Sequence, residues 1–87
     1  MYSLRFTKKA LKELSKMDSF VRKYIIGWLE ENIEGCADPR AHGKGLSGVR
    51  SNEWRYRIGD WRALAIIKDD KVVVEVFKVG HRREVYE

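Results

Sequence analysis

The chain has 87 residues, 44% of them hydrophobic, and a formal net charge of +5; that is enough apolar content for a packed core, and room for one domain over 1–87. One cysteine, Cys36, excludes an internal disulfide and suits a reducing compartment. No apolar run has the length of a signal peptide or a membrane span, so a cytoplasmic protein without a membrane partner is expected, and its charge should draw it to polyanions.

Tyr2, Leu4 and Phe6 alternate with Ser3 and Arg5, which predicts a short half-buried strand. Thr7 suits a helix N-cap, and Ala10, Leu11, Leu14 and Met17 then recur at helical spacing. Asp18-Ser19 breaks that pattern and can cap a second helix, whose apolar stripe is Val21, Tyr24, Ile25, Trp28, Leu29 and Ile33 and whose stop is Gly35. Residues 36–51 read as a loop, with Pro39, Gly43, Gly45 and Gly48 in it and Leu46 and Val49 as anchors. The period then becomes two: Trp54, Tyr56 and Ile58 share one strand face, and Arg55 and Arg57 the other. Gly59-Asp60 fits a hairpin turn. Trp61 to Lys68 is apolar apart from Arg62, as expected of a central strand covered on both faces, and Asp69-Asp70 turns the chain again. A valine-rich strand follows from Lys71 to Val79, with Gly80 ending it before a charged tail. The order β-α-α-β-β-β predicts an α+β fold with two N-terminal helices packed on a small antiparallel sheet.

No Walker-type loop is present, and His42, His81 and Cys36 match no zinc spacing, so neither metal nor cofactor is expected. The available chemistry is cationic and phenolic. Arg55 and Arg57 project from one strand face, and Arg62 begins the next strand across a short turn. If the last strand lies beside that one, His81 and Arg82 emerge at the same sheet edge, and Tyr86 can reach it. Attack of an RNA 2′-hydroxyl on its own phosphate needs cations around the phosphorane, groups that move protons, and an aromatic that holds a nucleotide. The plain alternative is a solvated strand face with a structural His81 and a frayed Tyr86. Trp28 reads as core, and Trp54 and Trp61 as core or as stacking platforms.

Three motifs carry a resemblance. Asp38-Pro39-Arg40 with Gly43-Lys44, Leu46 and Gly48, the segment Trp54-Arg55-Tyr56-Arg57-Ile58-Gly59-Asp60-Trp61-Arg62, and the ending Val79-Gly80-His81-Arg82-Arg83-Glu84-Val85-Tyr86 together resemble toxins of the RelE/ParE superfamily, the last favouring RelE. The resemblance implies ribosome-dependent cleavage of messenger RNA in the decoding site. It also implies a cognate antitoxin that wraps the toxin with an acidic segment, so that a monomeric free toxin becomes a hetero-oligomer. It assigns the active site to Arg55, Arg57, Arg62, Arg82 and Tyr86. Relatives carry lysines at the first two positions, one acting as general base; a guanidinium stays protonated and is a poor base. Arg55, Arg57 and Arg62, with Lys44 and Arg83, are therefore expected to bind phosphate, with His81 or Tyr86 as base and Arg82 assisting the leaving group. The short tail favours inhibition by direct masking over displacement of a C-terminal helix. The competing expectations are a ParE-like inhibitor that binds DNA gyrase, and a relative that binds RNA without cleaving it.

Overall fold

The computed structural model describes residues 1–46 and 52–85, so Val49 and Tyr86 lie outside the described residues. The elements in chain order are β1 (Ser3–Phe6), α1 (Lys8–Ser15), α2 (Ser19–Asn32), β2 (Lys44–Gly45), β3 (Glu53–Ile58), β4 (Trp61–Lys68), β5 (Val73–His81) and α3 (Arg82–Val85). The caps fall where the short polar side chains offered them: Thr7 Oγ1 accepts from the Ala10 amide and Asp18 Oδ2 from the Phe20 amide.

The strands form one sheet in the order β1-β5-β4-β3-β2. Every neighbouring pair is antiparallel except β1 and β5, which run parallel with Ser3 opposite Val73 and Phe6 opposite Val76. The helices cover one face. Ala10 and Leu14 of α1 and Ile25 and Leu29 of α2 join Tyr56, Ile58, Ala63, Ala65, Ile67, Val74, Val76 and Val79 in a single buried cluster. Burying side chains of this size is what holds the layers together, at about 1.5–3 kcal/mol for each large one.

Three expectations change. β4 is central, but the helices cover only one of its faces; on the other, Leu64 and Ile66 are half-buried, with Arg55 and Lys78 opposite Leu64 in register. Residues 36–46 are not all loop, because Lys44 and Gly45 pair with Arg55 and Trp54 to add a short edge strand. Gly80 does not end the last strand: it is buried opposite Arg62, and β5 continues to His81.

β5 also carries a bulge. Lys78 stands opposite Leu64 and Val76 opposite Ala65, which leaves Phe77 as the extra residue. Before it the core-facing residues are Val74 and Val76; after it the parity changes, and Val79 is buried instead.

One polar latch joins three distant segments. The Asp69 carboxylate receives both Arg40 Nη atoms at 2.9 Å and the Tyr2 hydroxyl at 2.6 Å. The Arg40 guanidinium beside it, and then the Tyr2 hydroxyl, hold the Asp69 carboxyl at about 2. Because the folded value lies below the ordinary carboxylate value near ~3.9, the latch contributes fully above that pH and is lost as pH falls through about 2. Asp69→Asn is expected to lower the thermal midpoint at neutral pH, with the gap to the unsubstituted protein closing between about pH 4 and pH 2. A gap independent of pH would assign the loss to packing.

Candidate functional site

The β3–β4 hairpin builds the site. Ile58 pairs with Trp61, so Gly59-Asp60 is a two-residue turn, and φ at Gly59 is +61°. Asp60 shows no positive φ, which makes this the primed turn that places glycine first and matches the right-handed twist of the strands. Its register sets Arg57 opposite Arg62, while the edge strand sets Lys44 opposite Arg55. All four cations stand on the sheet face away from the helices, where with Gly43 they line a cavity of about 290 Å³. No carboxylate belongs to that lining among the described residues. Like charges directly opposite on neighbouring strands destabilise a sheet, and here two such pairs adjoin. The arrangement has its natural counterpart in an anion, whose binding would turn the repulsion into attraction.

The four cations differ in setting. Arg62 is 5% exposed, and its Nη1 donates to the carbonyls of Gly59 and Trp61, both at 2.8 Å, so its guanidinium is fixed to the turn. Arg55 is half-buried; Arg57 and Lys44 are exposed.

Lys44 depends on a braced loop. Arg40 N–H donates to the Asp38 carboxylate, and the buried Tyr56 hydroxyl donates to the Pro39 carbonyl at 2.7 Å. Burial pushes the Tyr56 hydroxyl well above the ordinary phenol range, so it remains a donor. Trp54 Nε1 donates to the His42 carbonyl, the Arg40 guanidinium lies 5.8 Å from the centre of the Trp54 ring, and Trp28 meets the His42 ring edge-on at 5.6 Å. Trp54 is thus the underside of this loop. Gly43 has φ +76°, and a Cβ there would collide with the Arg55 carbonyl. Gly43 thus belongs to the site beyond the residues the sequence singles out, and its place one residue before Lys44 is the signal for it.

The tail residues divide. The Arg82 amide donates to the Asp60 carbonyl at 2.8 Å, which ties the start of α3 to the turn beside Arg62, and the side chains of Arg82 and Arg83 are exposed. His81 reaches the same end of the sheet but not the same face. It pairs with Trp61, the neighbour of Arg62 on the opposite side, and its ring meets the Trp61 ring edge-on at 5.3 Å. The bulge at Phe77 is the cause: without it, strand alternation would have put His81 on the arginine face. Its Nδ1 accepts from the Arg83 amide at 3.2 Å. His81 is therefore not brought to the cavity, and the expectation of it as general base is not supported by this geometry. Tyr86 lies outside the described residues.

Among the described residues no three His, Cys, Asp or Glu side chains are grouped so as to hold a metal ion. No helix among them is long and apolar enough to cross a membrane.

Comparison with known proteins gives concordant matches. Residues 4–86 match the family model described as the ParE toxin of type II toxin-antitoxin systems, parDE. The mRNA interferase toxin RelE of Escherichia coli is 36% identical over 88 residues, covering 98% of this chain and 90% of the relative. The crystal structure of the isolated Escherichia coli RelE toxin superposes with a TM-score of 0.73 at 32% identity, covering 99% of this chain and 92% of that one. A chain of the RelBE2 toxin-antitoxin complex of Mycobacterium tuberculosis gives 0.81 at 26% identity, covering 93% and 91%.

Proposed function

Because this chain belongs to the RelE/ParE superfamily of type II toxins, we propose that it is an endoribonuclease that cuts messenger RNA in the ribosomal decoding site and is silenced by a cognate antitoxin. The observation that carries this reading is the facing of Arg57 with Arg62 and of Lys44 with Arg55 around one cavity. A phosphodiester there would meet cations on several sides. In the proposed reaction the 2′-oxygen attacks the adjacent phosphorus, the bond to the 5′-oxygen breaks, and a cyclic phosphate and a 5′-hydroxyl result. Lys44, Arg55, Arg57 and Arg62 stabilise the charge that grows on the non-bridging oxygens. Arg82, at the start of α3, assists the departing 5′-oxygen, and Tyr86 takes the proton-transfer role. The matches to RelE toxins, several of whose structures are complexes with antitoxin, support an antitoxin partner, and the basic cavity suits an acidic segment as its mask.

The test is end-labelled messenger on programmed ribosomes with an empty decoding site, beside naked RNA. One cut within the decoding-site codon is expected, absent on naked RNA. Tyr86→Phe should slow it by about 10²–10⁴-fold, and Arg82→Ala should slow it as well. The ParE description of the matching family favours one second reading, inhibition of DNA gyrase by binding. Intact messenger on competent ribosomes, together with blocked supercoiling, would replace the first reading with the second.

A further inference from the structure

α3 has four residues, too few to be helical unaided. Its first amides have no intrahelical acceptors and need partners from outside the helix. His81 supplies one: Nδ1 accepts from the Arg83 amide at 3.2 Å, two positions into the helix from His81. Glu84 answers it, with Oε1 accepting from the His81 amide at 3.4 Å. This reciprocal pair is a variant of the capping box, with histidine in the place usually held by serine or threonine and its bond made to the second helical amide rather than the third. The Trp61 ring fixes the imidazole edge-on at 5.3 Å. Val85 is buried at the far end, over Gly80, where an added Cβ would come within 3.2 Å of Val85 Cγ2. The Arg82 amide, bonded to the Asp60 carbonyl, fastens the helix to the turn that also carries the Arg62 bonds.

We propose that His81 is a positioning residue whose imidazole caps α3 and thereby holds Arg82 against the β3–β4 turn beside the arginine cavity. The role rests on the nuclease reading as far as Arg82 assists cleavage, but the cap itself does not. Acceptance by Nδ1 from the Arg83 amide selects the tautomer of the neutral ring that bears its hydrogen on Nε2. The nitrogen available to accept is already occupied by the backbone.

A cap and a base respond differently to substitution. Asparagine and serine are among the best N-caps, and the asparagine amide takes up no proton at neutral pH. The experiment follows amide hydrogen exchange at Arg83 in the full chain, and single-turnover cleavage at saturating programmed ribosomes, for His81→Ala, His81→Asn and His81→Ser. His81→Ala should lower Arg83 protection by about fivefold, the usual scale for a lost cap, and slow cleavage with little change in ribosome affinity. His81→Asn and His81→Ser should restore both. Unchanged Arg83 exchange in His81→Ala overturns the proposal. So does a His81→Asn protein that keeps Arg83 protected yet cuts as slowly as His81→Ala, since that assigns the imidazole to proton transfer. If the unsubstituted protein cuts nothing, the nuclease reading falls by itself, and the Arg83 exchange still upholds or overturns the cap.

Discussion

Alanine in place of Arg57 is expected to slow cleavage of ribosome-bound messenger by about 10²–10³-fold, the usual loss when one donor to a developing oxyanion is removed. The same change should leave stability intact or raise it slightly. Arg57 is exposed and faces Arg62 across the β3–β4 register, so removing it relieves a like-charge pair. The gain is about 0.2–1 kcal/mol, toward the lower end at an exposed position, and shrinks as salt rises. Arg62→Ala provides the contrast. It should lose comparable activity but also stability, because its Nη1 bonds to the Gly59 and Trp61 carbonyls hold the turn. Arg62→Lys keeps the charge without the planar fork and should recover only part of either loss. Urea denaturation and single-turnover cleavage on the same three proteins separate these cases. An Arg57→Ala protein that cuts at full rate would remove Arg57 from the site.

Gly43→Ala is expected to be the most damaging change outside the charged residues. An L-residue in the left-handed region costs about 1–2 kcal/mol, and here the backbone is left-handed at +76°. The new methyl would also meet the Arg55 carbonyl, which is backbone and cannot swing aside. The edge strand must then part from β3, carrying Lys44 away from Arg55 and opening one wall of the cavity. Cleavage should fall further than Lys44→Ala alone produces, while the unfolding free energy drops by about 1–2 kcal/mol. Equal activity in Gly43→Ala and Lys44→Ala would show that the wall matters only through the lysine.

The hairpin half of the site is readable from the sequence because it is local. Alternation from Trp54 to Ile58 puts Arg55 and Arg57 on one face, and a two-residue turn leaves Arg62 almost nowhere to go but beside them. The rest depends on partners far along the chain. Nothing local in Tyr2–Phe6 encodes a parallel neighbour, and Lys44–Gly45 pairs through backbone atoms that loop composition hides. His81 reaches the expected end of the sheet, but which face it takes depends on the extra residue at Phe77. A bulge has no strong sequence mark, and each residue beyond it changes sides. The Asp69 latch was likewise invisible, since Tyr2, Arg40 and Asp69 meet only after β1 has docked on β5.

That docking has a consequence for the order of synthesis. Ser3 and Leu4 find their partners in Val73 and Val74, on a strand made long after them. Closing so long a loop is entropically unfavourable until β5 lies against β4. β1 must therefore wait without this partner until β5 has been translated. A nascent copy cannot complete its sheet before β5 has emerged, although the strands that line the basic cavity, β2 to β4, are made earlier. If this chain is a nuclease, its first strand is one of the last parts of the sheet to be secured.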